Sequence, residues 1–234
     1  MNIEKTAFIF DVDGTLVHTE IQYAQIISQY LSEHGILISP TEYMHEFSGK
    51  SFEVVLTHAN QLLKSKAKPQ LNIPQAISEI DNRYTQSLLN NGIKSTPGSL
   101  ELIQTLHAHK VQIAIGSNAP LQAINNNLTA SGHIDFFNSE NIFSAFQINK
   151  WKPEPNVFQA AYNSLQTPHL ETIIIIEDSL SGLIAIQNFS LQMPELEIIG
   201  VFIDNGHNSH IYSQMPNSIK HSFCDLRETL NLFH

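Results

Sequence analysis

Apolar and polar positions follow two rhythms along this chain. Short runs rich in Ile, Val and Phe, at residues 7–10, 112–115, 142–144, 172–176 and 197–202, read as strands buried on both faces. Between them, residues 99–109, 121–131, 155–164 and 180–189 carry the longer amphipathic spacing of helices. Pro97-Gly98, Ala119-Pro120 and Pro153-Glu154-Pro155 supply helix starts and loop punctuation. Strands alternating with helices predict an α/β fold, a Rossmann-like parallel sheet whose ligands collect at the carboxyl ends of the strands. Residues 21–89 break the rhythm. They show helical spacing only, as in Tyr23, Ile26, Ile27, Tyr30 and Leu31, and again in Phe52, Val55, Leu56, Ala59, Leu62 and Leu63. The stretch KSKAKPQLNIP, residues 64–74, reads as an exposed connection within them. The pattern predicts a core at 1–16 and 95–234, with an all-helical insertion at 17–94 over its mouth.

Composition narrows the function classes. A chain of 234 residues with 42% hydrophobic and 15% charged residues builds a sizeable core and shows no sign of disorder. Its net charge of −10 disfavours nucleic acid and anionic membranes as partners, but leaves room for a small anionic substrate met by a local cation. The single Cys224 excludes an intrachain disulfide and a thiolate zinc cluster. With no signal-peptide pattern at the start and no apolar run near the ~20 residues of a membrane span, a cytoplasmic location is expected. The sequons at Asn127 and Asn188 then carry no meaning, and the twelve scattered histidines read as mostly surface residues. Gly49-Lys50-Ser51 resembles the end of a P-loop, but Met44 stands where that motif needs glycine. Lys50 is instead a candidate for reaching an anionic substrate.

Four polar clusters sit at strand ends: Asp11 and Asp13 in FDVDGT, Ser117 and Asn118 in IGSN, Lys152 in NKWKPEP, and Glu177 and Asp178 in IIIIEDS. Carboxylates converging at one sheet edge repel unless a cation sits among them. Oxygen-only donors favour a hard ion, Mg²⁺ above all, assisted by Lys152. In an extended segment Asp11 and Asp13 point to one face, and a bend at Gly14 sets them on either side of one reacting atom. One carboxylate can then attack while the other exchanges a proton with the leaving group. Thr15, Ser117 and the backbone N–H groups of the turn can cradle phosphoryl oxygens, with Lys152 neutralising charge.

These four ordered motifs resemble those of the haloacid dehalogenase (HAD) superfamily, over residues 7 to 205. The insertion resembles the helical cap of its phosphoglycolate phosphatase and β-phosphoglucomutase branch. The resemblance implies Asp11 as the nucleophile forming an aspartyl-phosphate and Asp13 as general acid and base. It implies Ser117 on a phosphoryl oxygen and Lys152 as the neutralising lysine. Mg²⁺ would be held by Asp11, the Asp13 carbonyl and Asp178, with Glu177 binding directly or through water. SAFQINKWKPEPNVF and GSNAP are further similar to bacterial sugar-phosphate phosphatases, the 6-phosphogluconate phosphatases among them. At His18 the chain departs from the branch, which usually carries an acid there; Thr19 is then the candidate helix cap. His18, Glu20, Tyr23 and Asn118 are candidates for the pocket lining.

The implied activity is Mg²⁺-dependent hydrolysis of a small phosphorylated metabolite, a sugar phosphate, sugar-acid phosphate or phosphoglycolate, by a monomer or homodimer. A phosphohexomutase is the nearest alternative, but mutases tend to carry a lysine where this chain has Asn118-Ala119-Pro120. Dehalogenation does not need Asp13 as a leaving-group acid. A phospho-accepting signalling receiver would be near half this length and lack the insertion.

Overall fold

The computed structural model describes residues 2–47, 51–165, 170–206, 208–219 and 221–233. In chain order these form β1 (Thr6–Phe10), α1 (Thr19–Glu33), α2 (Pro40–Phe47), α3 (Phe52–Ser65), α4 (Ile73–Asn91), α5 (Ser99–Ala108), β2 (Gln112–Ser117), α6 (Leu121–Ala130), β3 (Ile142–Ser144), α7 (Ala145–Ile148), α8 (Asn156–Ser164), β4 (Thr172–Glu177), α9 (Leu180–Gln192), β5 (Glu197–Ile203) and β6 (His221–Phe223). The chain divides into two compact units, Met1–His18 with Lys94–His234, and Thr19–Ile93.

The first unit is an α/β fold built on one six-stranded sheet in the order β3-β2-β1-β4-β5-β6, every pairing parallel. β1 lies between β2 and β4, with Phe8 aligned to Ile113 and Ile174. It is buried along its whole length, which explains why its sequence shows no alternation. Ile173 to Ile176 of β4 are likewise fully buried, each contributing about 2 kcal/mol of apolar burial. Val157, Phe158 and Ala161 of α8 and Leu183, Ile186 and Phe189 of α9 join Ile9, Ile173 and Ile175 in one core cluster.

The five strands expected from apolar runs are all present; four run further than those runs, and two of these end on a polar residue. Ser117 pairs with Ser144 and Glu177 with Phe202, so both polar residues are the last of their strands rather than the first beyond them. Backbone pairing continues after the apolar run stops. β6 is an addition: it is three residues long and half-buried, too short for a period to register.

The second unit holds α1 to α4 around its own core, including Ala24, Ile27 and Leu31 of α1, Leu56, Ala59 and Leu63 of α3, and Ala76 and Ile80 of α4. Tyr23 stacks on Tyr84 with centroids 3.9 Å apart. Asn72 caps α4, accepting from the Gln75 N–H, with proline in the first turn. The connection before it is exposed and is held by Asn60, whose amide both donates to and accepts from the Leu71 backbone, at 3.0 and 2.7 Å. Thr19 is the first helical residue of α1 and so lies inside the helix rather than capping it from outside. No helix among the described residues is long and apolar enough to cross a membrane.

Candidate active site

Asp11 follows β1 directly, and its N–H donates to the Ile176 carbonyl at 3.1 Å, carrying the β1–β4 ladder one residue further. A turn then closes, with the Gly14 N–H donating to Val17 O at 2.8 Å and Leu16 N–H to Val12 O at 2.9 Å. Gly14 adopts φ +84°, a left-handed conformation that favours glycine. A Cβ there would stand 2.0 Å from Asp178 Oδ2, so the missing side chain also lets the turn approach that carboxylate.

Lys152 is the centre of the charged side of the site. Its side chain is only 2% exposed, and its ammonium donates to Asp11 Oδ1 at 2.5 Å and to Glu177 Oε1 at 2.6 Å. It also lies 4.8 Å from the centroid of the Phe158 ring. The sequence left open a lysine snorkelling at the surface; the structure buries it. Burial opposes its charge, but Asp11 and Glu177 outweigh that and hold the ammonium's pKa above its ordinary value. Burial pushes the Asp11 carboxyl up, with Glu177 and Asp13 adding to the rise and Lys152 opposing it. Glu177 gives its second oxygen to Ser179, accepting from the backbone N–H at 2.7 Å and from Oγ at 2.9 Å. The Ser179 hydroxyl in turn accepts from Gly182 N–H at 3.1 Å, capping α9.

Asp178 is buried and oriented by neutral donors. Thr15 Oγ1 donates to its Oδ1 and Asn205 Nδ2 to its Oδ2, both at 3.2 Å, and Asn208 Nδ2 donates to its backbone carbonyl at 2.8 Å. Asp13 accepts a hydrogen bond from Asn127 of α6, whose Nδ2 donates to Oδ1 at 2.9 Å. The Ser117 loop is fixed twice: the Ala119 N–H donates to Ser117 Oγ at 3.2 Å, and Asn118 Oδ1 accepts from the Lys152 backbone N–H at 3.0 Å.

The structure thus brings Asp11, Lys152 and Glu177 into one ion-paired group, and Thr15 to Asp178. Asn118 anchors the Lys152 backbone. Glu20 stands in the first turn of α1, and the His18 N–H donates to Lys94 O at 2.9 Å. Lys50 lies outside the described residues. Asn127, Asn205 and Asn208 escaped the sequence reading. The signal for Asn127 was its place beside Ile124 and Leu128 on the buried stripe of α6, where a polar residue needs a partner. Among the described histidines, which are otherwise exposed or half-buried as expected of mostly surface residues, His133 is the exception. It is fully buried, with Nε2 3.0 Å from Ser99 Oγ and Nδ1 2.8 Å from Ser131 Oγ.

Among the described residues no three acidic, His or Cys side chains close around one point, because Lys152 already occupies the space between Asp11 and Glu177. Four acidic side chains nevertheless stand at this edge with one ammonium, an excess of negative charge in a largely buried place. The donors are oxygens throughout, and the absent Cβ of Gly14 keeps the Asp178 carboxylate approachable. Such a set fits a hard divalent cation that keeps several waters and uses one or two carboxylates.

A family model described as haloacid dehalogenase-like hydrolase matches residues 8–193. A 6-phosphogluconate phosphatase of Escherichia coli is 24% identical over 181 residues, 75% of each chain. A phosphoglycolate phosphatase of Photorhabdus laumondii is 22% identical across 97% of this chain and 92% of its own length. Among solved structures, a predicted phosphoglycolate phosphatase from Haemophilus somnus superposes with a TM-score of 0.75 at 21% identity, covering the whole of both chains.

Proposed function

The chain belongs to the haloacid dehalogenase-like hydrolases, and from that premise we propose that it is a phosphatase for a small phosphorylated metabolite, working through an aspartyl-phosphate on Asp11. The observation that carries the reading is the buried Lys152 ammonium bonded to both Asp11 and Glu177, one residue away from a second carboxyl, Asp13, held by a neutral amide. A single ammonium keeps Asp11 oriented and offsets the charge that arrives with a phosphoryl group. Asp11 attacks phosphorus as the bond to the leaving oxygen breaks, and Asp13 gives that oxygen its proton. Asp13 then takes a proton from water, whose oxygen attacks the same phosphorus. The bond to Asp11 breaks, and inorganic phosphate leaves. Ser117 and the backbone N–H groups of the Gly14 turn are suited to the phosphoryl oxygens.

Mg²⁺ is the cation this oxygen set suits; the carboxylates of Asp11 and Asp178 and the Asp13 carbonyl would hold it, and when bound it would supply Lewis-acid neutralisation of phosphoryl charge. In this reading Thr15 and Asn205 orient Asp178, and Glu177 serves mainly to hold Lys152. Names of relatives support sugar-acid phosphates and phosphoglycolate as the first substrates to try. The test uses p-nitrophenyl phosphate with and without Mg²⁺. Turnover is expected to need the cation and to vanish in Asp11→Asn; turnover persisting in that variant overturns the mechanism.

A further inference from the structure

Asn127 is almost fully buried and bonded to Asp13. Its place is fixed from behind by a chain of neutral contacts. Its backbone carbonyl accepts from Ser131 Oγ at 2.7 Å, that hydroxyl lies 2.8 Å from His133 Nδ1, and His133 Nε2 lies 3.0 Å from Ser99 Oγ on α5. The C-terminal end of α6 is therefore tied to α5 through a fully buried imidazole. Buried polar networks whose members are all satisfied hold one geometry.

Resting on the reading of Asp13 as proton carrier, we infer that Asn127 is a positioning residue that aims the Asp13 carboxyl at the leaving-group oxygen. An amide N–H donates to a carboxyl oxygen whether or not the other oxygen is protonated. The bond to Oδ1 restrains rotation of the carboxyl. Loss of the amide removes that restraint and costs proton delivery, while the attack by Asp11 is untouched.

The signature of that role is leaving-group dependence. Phenyl phosphate releases a phenol about as basic as that of tyrosine, pKa near 10, and needs the proton. p-Nitrophenyl phosphate has nearly the same shape, and its leaving group departs as a stable anion. The kcat/KM values report steps up to the first irreversible one, here departure of the leaving group. With the full chain and Mg²⁺, Asn127→Leu, which keeps the side chain's size, should lower kcat/KM for phenyl phosphate by about 10- to 100-fold, and for p-nitrophenyl phosphate by no more than about threefold. Asn127→Ala should give the same ratio, and thermal unfolding checks that both variants fold. Equal losses on the two substrates would mean a purely structural residue and overturn the inference, as would no loss on either. A folded wild type inactive on both overturns the phosphatase reading itself, an outcome visible before any variant is measured.

Discussion

Asp11 and Asp13 are one residue apart and meet different company. Asp11 shares a buried ammonium with Glu177, whereas Asp13 accepts from an amide backed by serines and a histidine. In the proposed mechanism the difference follows from what each group must do. A nucleophile is useful only as an anion, and a fixed positive charge favours that state throughout. A proton carrier must pass between two states, so a neutral donor that tolerates both is the better partner. Charge pairing and neutral pairing also differ in what their loss costs, and that makes the contrast measurable.

The largest expected effect is on the charged side. Lys152→Ala leaves Asp11 and Glu177 buried without their shared cation, and breaking such a pair costs about 3–5 kcal/mol. Asn127→Leu removes one hydrogen bond from a neutral amide to a carboxyl group, worth about 1.5–3 kcal/mol. Urea unfolding at pH 7.5 should separate the two by about 1–2 kcal/mol, with Lys152→Ala also losing about 10²- to 10³-fold in kcat. Similar stabilities would erase the distinction drawn here.

A gentler break of the same side uses Gly182. It lies inside α9, and a Cβ there would fall 1.9 Å from Glu177 Cδ. Gly182→Ala therefore pushes Glu177 off its bonds to Lys152 and Ser179, an overpacking cost of about 1–3 kcal/mol. Better helix propensity returns up to about 1 kcal/mol. Stability should fall by about 1–2 kcal/mol, and kcat should fall as Lys152 loses one of its two anchors. A variant with full kcat would show that Glu177 does not position the lysine.

The same contrast explains what the sequence made legible. β1 and β4 announce themselves as runs with no polar interruption, since both faces are covered, and acids at their ends stand out against them. Asp11, Asp13, Glu177 and Asp178 could be found by position because a charge beside a buried strand needs a reason. The neutral partners carry no such contrast. Asn127 sits in a run of three asparagines, marked only by its place on the buried stripe of α6, and Asn205 and Asn208 lie in a polar loop and read as surface until the fold brings Asn205 to the Asp178 carboxylate and Asn208 to the Asp178 backbone carbonyl. The burial of Lys152 depends on its bonds to Asp11, 141 residues away, and Glu177, 25 away, and on the ring of Phe158; no local pattern encodes that.

The smallest expected effect tests the neutral side through pH. Burial lowers the His133 pKa to about 4, with Glu101 opposing the shift, while the unfolded chain titrates near 6.5. The fold therefore holds the ring neutral. The stability this contributes is complete above the unfolded pKa and is lost as pH falls through 6.5 toward 4, because the unfolded chain binds a proton that the folded one refuses. Between pH 7.5 and 5.5 the loss attributable to this residue is about 1.3 kcal/mol. Other histidines also titrate in this window, so the measurement is a difference: urea unfolding of wild type and His133→Gln at both pH values. Glutamine offers an amide near the Nε2 position and does not titrate, so the variant should be less pH-sensitive by about that amount. Equal pH sensitivity would mean that His133 takes up its proton in the fold. A protonated ring has no acceptor nitrogen and would donate to both Ser99 and Ser131, so it could no longer accept a hydroxyl proton from either. The tie behind Asn127 would then be charged rather than neutral, and the two sides of the site would differ less than the structure implies.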